Sequence, residues 1–173
     1  MPAFKLVVVI PGNPKPQPKQ KWAGDARSPI GLWRIKTAQA AKRAMKRAKA
    51  FIQQGALRVS CVFIFPRPKG KQKKTMLMPR IVHEGTPDLT NLMKAIEDAC
   101  KGIVFKDDKQ IVRYRKIEKY TAECVWNARE QIFEEENARA ILVFQSTTTV
   151  CKKSLQRVTR RTEECLTRTP RRK

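Results

Sequence analysis

Acidic residues are scarce: 15 Asp and Glu stand against 38 Lys and Arg, a formal net charge of +23 over 173 residues. That excess goes beyond what solubility needs, and it repels itself unless a polyanion neutralises it. Nucleic acid is therefore the expected partner. An anionic membrane surface could take up the same charge, and charge alone also fits a ribosome-type basic protein. Histidine occurs once, as His83, and the five cysteines (Cys61, Cys100, Cys124, Cys151, Cys165) form no C-x-x-C pair. This argues against a zinc site. An odd cysteine count with no secretory signal fits a reducing cytoplasm, with the thiols packing as small hydrophobes. The apolar stretch at residues 6–10 is too short for a signal peptide or a membrane span, so no membrane role is expected.

A hydrophobic share of 41% supports a globular core. The length suits one domain, or a small domain with a tail. Residues 4–10 (FKLVVVI) read as a central strand. The loop PGNPKPQPKQKWAG follows, with Pro29 and Gly31 marking a further turn. Residues 33–54 read as a helix ended near Gly55, with Trp33, Ala41, Met45, Ala48 and Ile52 as its buried stripe. Lys42, Arg43, Lys46, Arg47 and Lys49 lie mostly off that stripe, as a solvated basic face or a backbone contact for DNA. Residues 56–65 read as a second strand, followed by the basic loop PRPKGKQKKTMLMPR.

Thr86 is expected to cap a helix with Pro87 at its first position, running to about Lys101 and stopped by Gly102. Residues 110–120 read as a third strand with one wet face, and 140–144 as a fourth. Residues 121–138 are poorly determined and read as a helix through Trp126, Ile132 and Phe133. The expected fold is α/β (α+β): a small mixed four-stranded sheet flanked by helices. The domain spans 1–145, and 146–173 forms a basic tail, partly helical or disordered.

Two acidic spots stand out: Asp88 in TPDLTNLMKAIEDACKG, and Asp107–Asp108 in FKDDKQI. Carboxylates amid surplus positive charge suit Mg²⁺, which polarises a phosphodiester and activates water. Lys94 would neutralise charge on the phosphate in the transition state, and Asn91 would orient a ligand. The plain alternative is that Asp88 is a helix-dipole partner and Asp107–Asp108 a turn signal. Spacing leaves both readings open.

The segment PDLTNLMKAIEDACKG…FKDDKQI resembles the signature of the RusA family of Holliday junction endonucleases, approximately P-D-x-D-N-L-x-K-x-x-x-D-x-L followed by D-D-x-Q-I/V. The likeness extends more loosely over residues 4–145 and includes a His shortly before the signature, here His83. It implies a metal-dependent crossover junction endodeoxyribonuclease acting in recombination and repair. Asp88 and Asp108 would bind Mg²⁺ or Mn²⁺, and Lys94 would be the catalytic lysine. It further implies a homodimer cutting a four-way junction symmetrically. The setting would be the cytoplasm of a bacterial or phage-infected cell, since the family is frequent in phages and prophages.

One departure matters. The family often carries a metal-binding aspartate two residues after the first, and Thr90 stands there. Thr90 would bind through water, Asp107 or Glu84 would supply the missing charge, or cutting has been lost and binding kept. The last outcome is the competing reading: a non-catalytic nucleic-acid binder, either an inactive resolvase relative or an RNA-binding protein. His83 is expected either near a phosphate or the metal or in a structural hydrogen bond, and Asp98 as a salt-bridge support for Lys94, with direct metal binding as its lesser alternative. Trp22 and Trp33 could stack on bases, although Trp33 suits the core. Lys15, Lys19, Lys21, Lys69, Lys71, Lys73 and Lys74 are the expected contacts to the DNA backbone.

Overall fold

The computed structural model describes residues 4–17, 28–68, 76–127, 129–130 and 132–147. Strand β1 (Lys5–Pro11) alternates strictly, burying Leu6, Val8 and Ile10 while Val7 and Val9 face outward. It lies antiparallel to β7 (Arg139–Ser146), whose Ala140, Leu142 and Phe144 are buried. Strand β7 runs antiparallel to β2 (Leu57–Phe65), and β2 runs parallel to β4 (Ile111–Thr121). A two-residue strand β3 (Ile81–Val82) closes the far edge, so the order is β1-β7-β2-β4-β3. The four long strands are those read from the sequence. The sheet nevertheless has five members rather than four, because β3 is too short to carry a periodic signal.

A parallel pair needs a crossover, and helix α2 (Leu89–Cys100) lies between β2 and β4 in the chain. Helix α1 (Pro29–Arg47) packs on β1 and on α2, and α2 on β4. The core between helices and sheet includes Trp33, Met45, Phe63, Leu92, Ile96, Phe105 and Phe144.

Both ends of α1 differ from the expected 33–54. Ser28 caps the N-terminus, accepting from Gly31 N–H at 3.0 Å, and Pro29 takes the first position, where its missing N–H costs nothing. At the other end Lys49 turns left-handed (φ 48°). The Ala50 N–H then donates to Met45 O at 3.0 Å and Lys49 N–H to Lys46 O at 3.1 Å. This Schellman closure normally uses glycine, so its lysine version is invisible in the sequence. Ala48 and Ile52 therefore lie outside the helix and are exposed, whereas Trp33, Ala41 and Met45 are buried with Thr37 and Ala40.

Residues 121–138 are not the expected helix. Strands β5 (Cys124–Asn127) and β6 (Ile132–Glu135) form an antiparallel hairpin in register from Cys124↔Glu135 to Asn127↔Ile132. Asn127 starts its turn by accepting from Arg129 N–H at 3.0 Å. Among the described residues of the loop after β2, one charge is buried. Arg67 is 5% exposed, with Nη2 donating to Pro79 O at 2.7 Å and to Ala122 O at 2.9 Å. Cys61, Cys100 and Cys124 are buried and free, and burial pushes the Cys100 thiol up to about 12. Of the tail, only its first residues are described, and β7 extends into them.

Strand β4 does not alternate regularly. Against β2, Leu57 pairs with Ile111 and Arg58 with Arg113, while Val59 pairs with Tyr114 and Ser60 with Lys116. Val112 and Arg115 are thus extra residues, and each shifts the pleat by one. The two shifts cancel between Ile111 and Ile117, which both pack against the core, while the first alone turns Tyr114 to the helix side of the sheet beside Ile117.

Candidate active site

That helix side holds a cavity of about 390 Å³ between α2 and β4, lined by Leu89, Thr90, Met93, Lys94, Glu97, Asp98, Asp108, Tyr114 and Ile117. Helical spacing explains the first wall. Thr90, Met93, Lys94 and Glu97 sit at i, i+3, i+4 and i+7 and share one face of α2. The irregular pleat of β4 supplies Tyr114 and Ile117 opposite.

Asp108 reaches the cavity from a single 3-10 turn, Asp108–Gln110. Gln110 fixes that turn. Its side-chain oxygen accepts from Lys106 N–H (2.7 Å) and Asp107 N–H (2.8 Å), and its amide nitrogen donates to Gln53 O (2.9 Å) and Gly55 O (3.0 Å). One side chain thus clamps the Asp107–Asp108 turn to the link between α1 and β2. Lys101, at the end of α2, sits 3.4 Å from Asp108 and 3.6 Å from Asp107. Its ammonium is held above the usual lysine range, first by the hydrogen bond to Asp108. The Asp107 carboxyl is lowered to about 2 by its hydrogen bonds with Asp108 and Lys109 N–H and by the Lys101 charge.

Asp88 is the N-cap residue of α2, a place the sequence had given to Thr86 with Pro87 inside the helix. Lys119 explains the shift. Its ammonium donates to Gly85 O (2.7 Å) and Pro87 O (2.9 Å), drawing the Pro87 carbonyl away from the helix. The first helical bond runs instead from Leu92 N–H to Asp88 O at 3.1 Å. The exposed carboxylate of Asp88 makes no capping hydrogen bond; it accepts from Asn91 Nδ2 at 3.3 Å. It does not line the cavity, whereas Thr90 and Asp108 do.

Lys94 is exposed on the cavity wall and forms no ion pair with Asp98, in contrast to the expected support. Its charge acts on Glu97 instead. His83 stacks on Phe65 (centroids 4.6 Å, 16°), and its Nε2 lies 3.1 Å from Thr86 O, the structural hydrogen bond. Trp33 lies in the core. Lys15 is half-buried on a loop whose Gln17 N–H reaches Asn91 O at 2.8 Å, tying that loop to the first turn of α2. Trp22, Lys19, Lys21, Lys69, Lys71, Lys73 and Lys74 lie outside the described residues.

Sequence reasoning missed Glu97, Lys101 and Tyr114. The Tyr114 hydroxyl donates to a Glu97 carboxylate oxygen. Burial pushes the Glu97 carboxyl up despite that hydrogen bond, and repulsion from Asp108 and Asp98 adds to the rise. Tyr114 is raised in turn by burial and by the Glu97 carboxylate. The helical spacing from Thr90 to Glu97 was a usable signal; the pairing with Tyr114 was hidden by the pleat shift. Arg113, Arg115 and Lys116 add exposed positive charge along β4.

Hard oxygen donors are what a magnesium ion selects. The cavity offers three carboxylates and two hydroxyls, and the repulsion felt at Glu97 is what a cation would relieve. The donor chemistry fits Mg²⁺ or Mn²⁺ retaining several waters. Among the described residues, no three His, Cys, Asp or Glu side chains converge into a ready-made cage. Among the same residues, no helix is long and apolar enough to cross a membrane. No curated protein matches the chain. The family model described as Endodeoxyribonuclease RusA matches residues 11–127, which include β1's last residue, both helices, the cavity and the Asp107–Asp108 turn. The chain belongs to the RusA endodeoxyribonuclease family.

Proposed function

We propose that this chain is a divalent-metal-dependent, structure-selective endodeoxyribonuclease that resolves four-way DNA junctions. The observation that carries the reading is the cavity whose lining joins Lys94 and Asp108, with carboxylates contributed by both helix and turn. Asp108 would hold the metal, with Asp88 approaching from the start of α2 and Thr90 contributing through water. When bound, Mg²⁺ or Mn²⁺ would polarise the phosphodiester and lower the pKa of an attacking water.

The chain's own residues carry the remaining work. Lys94, unpaired with any carboxylate among the described residues, would meet the negative charge that grows on the phosphate. Asn91 would keep the Asp88 carboxylate oriented. Arg113, Arg115, Lys15 and the lysines flanking the cavity would hold the DNA backbone without reading sequence. A homodimer would present two such sites to the two-fold junction.

The test is incubation of purified protein with a labelled four-way junction and a linear duplex, with and without Mg²⁺. Paired nicks in the junction are expected only with metal, and Asp88→Asn and Asp108→Asn should bind the junction without cutting it. Wild-type cutting by both variants would refute the assignment. One observation favours a second reading, a junction binder that no longer cuts: Thr90 stands where the family often has an aspartate. In that case no Mg²⁺ or Mn²⁺ concentration yields nicks, binding persists with steep salt dependence, and Thr90→Asp restores cutting.

A further inference from the structure

The charge missing at Thr90 raises the question of which side chain replaces it. Asp107 and Glu84 were the sequence's candidates. Neither lines the cavity, and the Asp107 carboxylate is occupied by Lys109 N–H and Lys101. Glu97 does line it, on the same face of α2 as Thr90 and Lys94. In a chain with 38 Lys and Arg, this half-buried carboxylate forms no ion pair among the described residues. Its hydrogen-bond partner is a neutral phenol, which steadies the carboxylate without neutralising it. One hydroxyl occupies one acceptor site, and a carboxylate has about four. No other hydrogen bond or ion pair among the described residues takes up the remaining sites, and Glu97 shares its cavity with Asp108.

We propose that Glu97 is a metal-ligating carboxylate of this chain, acting with Asp108 in place of the acid absent at position 90, and that Tyr114 is its positioning residue. The proposal rests on the reading of the cavity as a divalent-metal nuclease site. It also carries a geometric consequence. Thr90 and Glu97 are two turns apart, roughly 10 Å along the helix axis. Glu97 therefore does not restore the lost ligand in place; it puts a cation further along α2, beside the Asp108 turn, at a point that Asp88 at the start of the helix does not reach. Lys94 lies within one turn of Glu97 and stays beside the bound phosphate. Two carboxylates with retained waters satisfy an ion that usually keeps several waters.

The experiment measures Mn²⁺ binding to the full chain without DNA, by the loss of the free hexaaqua Mn²⁺ electron paramagnetic signal and by calorimetry. Glu97→Gln keeps the shape and the Tyr114 contact and should weaken Mn²⁺ binding by about tenfold or more. Glu97→Asp should lose less. Tyr114→Phe should lose roughly tenfold through disorientation of the ligand, and Mn²⁺ should raise its melting temperature less than that of wild type. Glu130→Gln removes an equal charge from the β5–β6 turn and should leave binding unchanged. If Asp108→Asn weakens binding while Glu97→Gln matches wild type, the Glu97 proposal is overturned and the metal-site reading stands. If neither variant alters binding, the metal-site reading fails and takes the proposal with it.

Discussion

Replacing Gln110 by glutamate changes one atom and leaves the shape intact, so it isolates what the clamp under the Asp107–Asp108 turn contributes. The two acceptor bonds, from Lys106 and Asp107 N–H, survive the change. The two donor bonds, to Gln53 O at 2.9 Å and Gly55 O at 3.0 Å, do not. A carboxylate oxygen then faces two carbonyl oxygens. Each lost bond is worth about 0.5–1.5 kcal/mol net, and the repulsion adds to that, although the half-exposed site lets water relieve part of it. The expected loss at pH 7 is about 2–3 kcal/mol. For a chain of this size that lowers the melting temperature by roughly 4–12 °C. Urea unfolding with linear extrapolation provides the measurement.

Acid provides an internal control. The new carboxyl is easier to protonate in the folded protein than in the unfolded chain, because its protonated form regains a donor. Its folded pKa is raised, so the deficit is largest above that value and shrinks as pH falls through the ordinary glutamate range. Mn²⁺ binding should weaken in parallel, since Asp108 rides on the same turn. A variant within about 0.5 kcal/mol of wild type, with an unchanged denaturant slope, would show that the four bonds do not hold the turn.

Three further outcomes are expected. Arg67→Met removes the donors of two loop carbonyls at a 5% exposed site and should cost about 2–4 kcal/mol in urea unfolding; a loss under 1 kcal/mol would contradict the role of this buried guanidinium. Lys49→Gly puts the residue suited to φ 48° at the end of α1 and should stabilise by about 0.5–1 kcal/mol, so destabilisation would show that the lysine side chain matters there. Burial tends to raise the Glu136 carboxyl, but the Arg80 hydrogen bond and the charges of Arg80 and Arg139 outweigh it and hold the carboxyl below its usual range. The stability it gives is present above the unfolded glutamate pKa and is lost as pH falls through the lower folded value. Glu136→Gln should therefore flatten the melting temperature between about pH 5 and pH 3, and an unaltered acid limb would count against the ion pair.

The long strands and both helices were legible because their apolar residues recur with periods of two and 3.6, as in Leu6, Val8, Ile10 and in Leu92, Ala95, Ile96, Ala99. What escaped depended on single backbone choices or on distant partners. Lys49 ends α1 where no glycine announces it. The hairpin of β5 and β6 was read as a helix because four-residue strands offer too few positions to fix a period. The signature aspartates were visible, as was Lys94, but the cavity also contains Glu97 and Tyr114. Their meeting depends on pleat shifts that no local pattern encodes. The helix cap moved from Thr86 to Asp88 because Lys119, remote in sequence, holds the preceding carbonyls.

The two supernumerary residues of β4 give this strand slack that its composition does not suggest. Deleting Arg115 would remove the second of them: Tyr114 and Ile117 would then stand two residues apart in a regular pleat and still look the same way, towards the helix. A single-codon deletion at Arg115 should therefore leave a folded protein with its cavity wall in place, whereas a deletion at Glu118, beyond both extra residues, would turn Lys119 and the rest of the strand to the opposite face.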